Sequence, residues 1–239
     1  MPLRNEVAKG LPIVLIPGLN CSMRLYAEQI PALWRFGPVT IADQTRGETI
    51  AAIASQILAK APPRFALAGL SMGGYIAFEI MRLAAERVAR LALLDTGARA
   101  DTPEQTQRRQ TPIEMAKTGR FAEAAEDAFR FYVHPARHRD AALKALVITM
   151  AAENGVDAYL RQQRAIIGRP DSRPSLAAIS CPTLVLVGEQ DQGTPLALSQ
   201  EMAAAISGSR LVVVPECGHL STMERPEAVT KALVEWMQT

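Results

Sequence analysis

Gly69-Leu70-Ser71-Met72-Gly73-Gly74 constrains this chain more than any other stretch. The apolar run Phe65-Ala66-Leu67-Ala68 leads into it, and a helix-like stretch rich in Ala, Ile and Leu leads out from Gly74 to about Glu86. A buried strand that turns at once into a helix brings two backbones close together. Gly69 and Gly73, without Cβ atoms, permit that approach while Ser71 takes up a strained conformation. The turn then pushes the Ser71 hydroxyl out of the packed interior, at the positive end of the following helix. In this setting G-x-S-x-G presents a nucleophile. A glycine-rich turn with an incidental serine would carry the same letters, so its partners decide.

The surrounding rhythm is that of strands alternating with helices. Leu11 to Ile16 is an apolar run without alternation, as expected of a strand buried on both faces, and Pro17-Gly18-Leu19-Asn20 turns it. A helical stretch spans Tyr26 to Trp34, a strand Val39 to Ala42, and an amphipathic helix Thr49 to Lys60, stopped by Pro62-Pro63. After the Phe65 strand, the turn and its helix, Val88 to Leu94 forms another strand, ending at Asp95-Thr96-Gly97. The rhythm then breaks. Residues 97–174 are polar-rich, with four expected helices: one after Pro103, then Phe121 to Tyr132, Arg139 to Glu153 and Val156 to Ile167. Beyond that segment come a strand at Thr183 to Val187, a helix at Pro195 to Ile206, a strand at Leu211 to Val214 and a closing helix at Pro226 to Met237. The expected fold is therefore α/β: a mostly parallel, doubly wound six-stranded sheet with a helical insertion after the fourth strand. Residues 1–96 and 175–239 form the core and 97–174 a cap.

At 239 residues with 49% hydrophobic and 21% charged, the chain can bury a sizeable core. A net charge of +2 is too balanced to imply nucleic acid or an anionic membrane as partner. Met1 to Glu6 contains no apolar signal core, and no stretch is long enough to span a bilayer. Three scattered cysteines, Cys21, Cys181 and Cys217, fit reduced thiols in a cytoplasmic protein. Cys21, beside the first turn, is expected to be exposed and thiol-reactive.

In open α/β sheets, functional groups gather at the carboxyl ends of strands. The Thr183 strand is followed by Gly188-Glu189-Gln190-Asp191, and the Leu211 strand by Pro215-Glu216-Cys217-Gly218-His219. An alcohol nucleophile needs a base, and the base needs a carboxylate to fix its tautomer and stabilise its charge. Ser71, Asp191 and His219 fill those roles, in that chain order. Glu189 and Asp95 compete with Asp191; Asp95 is otherwise expected to cap or line the pocket. His134 and His138 fall in the insertion, where surface roles are the default. An oxyanion hole needs two aimed donors. Met72 N–H is one, and Leu19 N–H, with Asn20 second, is the other.

Together these segments, with Met223-Glu224-Arg225-Pro226-Glu227 after His219, resemble the α/β-hydrolase family over nearly the whole chain. The serine at the turn resembles the esterase, lipase, lactonase and carbon-carbon hydrolase branches. Two departures stand out. Pro17-Gly18 replaces the family's usual His-Gly, which removes a customary support of that loop. Too few residues precede the first strand for the antiparallel hairpin of many members, so that strand corresponds to the family's third. The resemblance implies a cofactor-free, metal-free serine hydrolase, carboxylesterase-like, acting on a small or medium ester or lactone as monomer or homodimer. Cleavage of a carbon-carbon bond in a diketone-type substrate, perhydrolysis, and a non-catalytic ligand receptor are the alternatives. Phe121, Phe129, Phe131 and Tyr132 of the insertion are candidates for an apolar wall, or pack its helices together.

Overall fold

The computed structural model describes residues 10–239; the reading of Met1 to Glu6 lies outside them. Six strands form one sheet: β1 (Ile13–Ile16), β2 (Val39–Ile41), β3 (Phe65–Leu70), β4 (Val88–Leu94), β5 (Thr183–Gly188) and β6 (Arg210–Val214). Their order is β2-β1-β3-β4-β5-β6, and every adjacent pair is parallel. The unalternating apolar runs follow from burial on both faces. Ile13, Leu15, Ala66, Ala68, Ala92, Leu94, Leu184 and Leu186 belong to one core. Their neighbours Val14, Ile16, Phe65, Leu67, Leu91, Leu93 and Val185 belong to the other, as the two-residue period of a strand requires.

Helices cover both faces. α1 (Ile30–Leu33) and α9 (Pro226–Gln238) pack on the first core through Leu33, Val229, Leu233 and Trp236. The second is covered by α2 (Ile50–Lys60), α3 (Met72–Ala84) and α7 (Leu196–Ala205) through Ile53, Ile76, Phe78 and Met202. The helical stretch expected over Tyr26 to Trp34 is instead a 3-10 turn, Met23–Tyr26, and the single turn of α1, restarted by Pro31. Helix α3 begins at Met72, two residues before Gly74, because Ser71 itself is the N-cap.

Between β4 and β5 lie α4 (Pro103–Lys117), α5 (Phe121–Tyr132) and α6 (Ala141–Ile167). Thr102 and Gln105 close a reciprocal capping box on α4. The two last helices expected in this segment are one long element bent at Gly155, whose φ of 77° and ψ of 168° only glycine adopts readily. A short helix α8 (Ser221–Glu224) precedes α9.

The strand order matters for function. From β1 the chain goes first to β2 on one side and then to β3 on the other, so the connections after β1 and β3 leave the sheet in opposite directions. Ile16 and Gly69 are register partners at that point. A crevice opens at such a reversal, and its walls here are the Pro17–Cys21 turn and the Ser71 turn.

Candidate active site

Ser71 has φ 55° and ψ −115°, a conformation that costs a non-glycine residue about 1–3 kcal/mol. Its backbone is over-determined: Ser71 N–H donates to Leu94 O at 3.0 Å, and Ser71 O accepts from Gly74 N–H at 2.9 Å and Thr96 Oγ1 at 2.8 Å. A Cβ on Gly69 would lie 2.3 Å from Gly73 O, and one on Gly73 would lie 2.1 Å from Ile16 O. Both glycines are there because strand and helix touch. The serine side chain makes no capping bond and faces a small pocket of about 60 Å³, walled also by Gly18, Leu19, Arg109, Tyr132, Thr194 and His219.

The loop after β1 stands against this turn; a Cβ on Gly18 would sit 3.3 Å from Ser71 Cβ. Gln44 Nε2 holds it by donating to Cys21 O at 2.7 Å and Gly18 O at 3.3 Å, and Tyr26 Oη donates to Ile16 O at 3.0 Å. These bonds fix the loop that carries Pro17 and Gly18. Asn20 N–H is committed to Gln162 Oε1 at 3.0 Å. Neither Leu19 N–H nor Met72 N–H donates to any group among the described residues. Of the two donors weighed on this loop, Leu19 is therefore the free one.

His219 and Asp191 are each 4% exposed, and His219 Nδ1 lies 2.8 Å from Asp191 Oδ2. Asp191 also accepts from Gly193 N–H at 2.7 Å, Thr194 N–H at 2.9 Å and Thr194 Oγ1 at 2.6 Å. Burial pushes its carboxyl upward, but His219 and these donors outweigh burial and hold it below the usual value. For His219, burial lowers the imidazole, yet the facing Asp191 carboxylate overrides it and the net shift is upward. With Nδ1–H committed to the carboxylate, Nε2 is the basic nitrogen. No Ser71–His219 hydrogen bond is present among the described residues; the two share the wall of one pocket.

The competitors separate cleanly. Glu189 is exposed and bonds Gln190 Nε2 at 2.9 Å. Of the two roles expected of Asp95, capping or lining the pocket, it takes the first; it lies fully buried at the end of β4, off the pocket wall, accepting from Gly188 N–H at 2.8 Å and from Ser221 Oγ. Burial first, then the nearby Asp191 charge, pushes its carboxyl well above the ordinary range. His134 Nδ1 accepts from Ala136 N–H, and His138 Nε2 contacts Val133 O, so both imidazoles serve their own turn. Cys21 corrects another expectation. It is buried, and burial raises its thiol to about 12, so it carries little thiolate.

Sequence reasoning missed how α5 meets the base. Tyr132 stacks on the His219 ring, with centroids 4.7 Å apart and planes at 28°, and Tyr132 O accepts from His219 N–H at 2.7 Å. Buried Glu224 accepts from Gly218 N–H at 3.2 Å and Leu220 N–H at 3.1 Å, the residues flanking His219, and from His134 N–H at 2.8 Å beyond α5. A cavity of about 570 Å³ adjoins the small pocket, and Leu19, Cys21, Arg109, Tyr132 and Gly193 line both. Phe121, Phe129 and Phe131 stand on its wall with Met115, Val147 and Met150. No group of three or more His, Cys, Asp or Glu side chains among the described residues could hold a metal ion. Nor is any described helix long and apolar enough to cross a membrane.

The fold is that of an α/β hydrolase. The chain belongs to the alpha/beta hydrolase family, whose model matches residues 13–232, and it is accordingly a hydrolase. It is similar to a thermophilic esterase from Thermogutta terrifontis, at 30% identity over 97% of this chain and 92% of that one, with a TM-score of 0.86. The enol-lactonase from Burkholderia xenovorans is 26% identical over 98% and 94% of the two chains, also with a TM-score of 0.86. A curated relative in Mycobacterium tuberculosis, provisionally named non-heme bromoperoxidase BpoC, is 27% identical over 97% of this chain and 95% of its own.

Proposed function

We propose that the protein is a serine hydrolase that cleaves a small or medium carboxylic ester or lactone through an acyl-enzyme. The observation that carries this reading is His219, 2.8 Å from the buried Asp191 carboxylate and on the wall of the same pocket as the strained Ser71. Ser71 Oγ attacks the carbonyl carbon while His219 Nε2 takes its proton, and Asp191 stabilises the resulting imidazolium. Leu19 and Met72 N–H groups receive the developing oxyanion, each such donor being worth roughly 10²–10³ in rate. His219 returns the proton to the leaving alcohol, and water, activated by the same imidazole, releases the acid. Residues 97–174 act as a cap whose apolar cavity receives the acyl or alcohol part. The esterase and enol-lactonase likenesses support this bond type. Capture of the acyl group by hydrogen peroxide in place of water would give a peracid at the same site, a secondary reading that the bromoperoxidase-named relative favours.

The test is hydrolysis of p-nitrophenyl esters from acetate to laurate, with Ser71→Ala alongside. The expected result is turnover with an intermediate chain-length optimum, lost in Ser71→Ala by about 10³-fold or more. Turnover surviving in Ser71→Ala would overturn the assignment of the nucleophile.

A further inference from the structure

Between the Ser71 pocket and the large cavity stands a cation that the chemistry above does not use. Arg109, on α4, lines both spaces. Its side chain is only 19% exposed and is held by Asp101, Nε to Oδ2 at 2.6 Å and Nη2 to Oδ1 at 3.3 Å, with Nη1 donating to Gln163 Oε1 at 3.2 Å. Asp101 is also the partner of Arg169, whose Nη1 lies 2.6 Å away and whose guanidinium stacks 4.1 Å from the Tyr75 ring centroid. Two guanidiniums thus share one carboxylate, leaving one positive charge in excess beside the reacting centre. The other charged groups on the cavity wall, Arg108 and Asp127, are exposed, opposite in sign and screened by solvent. The Asp191 charge is turned to His219 and Thr194. Three of the five Arg109 N–H groups are used, and its planar fork is fixed in place by Asp101.

Resting on the ester reading, we propose that Arg109 receives a carboxylate carried by the substrate, so that the natural substrates are esters or lactones with an anionic second end. Because Arg109 walls the small pocket as well as the cavity, that carboxylate lies a few carbons from the scissile carbonyl, as in a half-ester of a short dicarboxylic acid. A fixed, partly desolvated guanidinium with free donors gains most from such a partner, and a neutral chain leaves those donors unpaired.

The experiment compares p-nitrophenyl hemiglutarate with the similarly sized p-nitrophenyl hexanoate, in the parent, Arg109→Gln and Arg109→Lys, with melting temperatures recorded. The parent should favour the anionic ester in kcat/KM by about tenfold or more, Arg109→Gln should erase that ratio, and Arg109→Lys should restore part of it. Calorimetric binding of glutarate against neutral glutaramide to the parent gives a reading that does not depend on turnover or on a variant folding, and glutarate should bind more tightly. Equal handling of both esters by the parent, or a loss in Arg109→Gln shared equally by both, would overturn the proposal while leaving the ester reading intact. Failure of the parent on both esters with glutarate still preferred would instead sink the ester reading.

Discussion

His219 carries opposing demands. Burial disfavours its charged form, and the Asp191 carboxylate at 2.8 Å favours it more, so its pKa ends above the ordinary 6.5. A general base works only when neutral. The rate should therefore rise with pH through a midpoint above 6.5, read from kcat/KM on a neutral ester. The same raised pKa gives the fold an increment of stability that is fully present below the unfolded value and lost as pH rises through the folded one. Activity and that increment run in opposite directions. Asp191→Asn removes the countercharge but not the burial, so the midpoint should move downward while kcat falls by about 10⁴. A midpoint unmoved by Asp191→Asn would assign the acid role elsewhere. Ser71, Asp191 and His219 were legible in the sequence because each follows a strand in a turn whose glycines and prolines mark it. Asp95 also follows a strand; what separates it from Asp191 is the direction of its side chain, into Gly188 N–H and Ser221 rather than toward His219. That is a property of packing, not of composition.

At the level of elements, the end of α5 and the loop carrying the base form one structure, joined by Tyr132 and by Glu224. Glu224 accepts three backbone N–H groups, two of them on either side of His219. Removing the carboxylate leaves those buried donors unpaired, at a cost of about 1–3 kcal/mol. In Glu224→Gln the neutral amide accepts more weakly, so His219 should be less well aimed. The expected outcome is kcat down by about tenfold with KM nearly unchanged; losses confined to KM or to melting temperature would make Glu224 merely structural. Glu224 stood inside a stretch that resemblance singles out, but nothing local reveals that a carboxylate five residues past His219 turns back to hold it. Arg109 was less visible still. Helix α4 reads as polar throughout, with only Ile113 and Ala116 buried, and one arginine among several becomes special only when α6 and Asp101 meet it. The same distance effect explains Gly155, which reads as a break between two helices yet serves as a bend within one.

Across the whole molecule, the reversal in strand order puts the Gly18–Leu19 loop against Ser71, while β5 and β6 deliver Asp191 and His219 from more than a hundred residues away in sequence. The inner strands were legible because β1, β3, β5 and most of β4 are apolar runs buried on both sides of the sheet, whereas the edge strands β2 and β6 are short and partly exposed. The way α4 and α5 meet the sheet was not, since it depends on Tyr132 and Arg109 sharing a pocket wall with Ser71. The proposed mechanism places a covalent acyl group on one oxygen, Ser71 Oγ. Its most direct test is intact-mass and peptide-mapping spectrometry after rapid acid quenching of the protein with a p-nitrophenyl ester, in the parent and in Ser71→Ala. A single acyl adduct on the peptide containing Ser71 in the parent, absent from Ser71→Ala, is the predicted result. An adduct on Cys21 instead, or sustained turnover in Ser71→Ala, would contradict it.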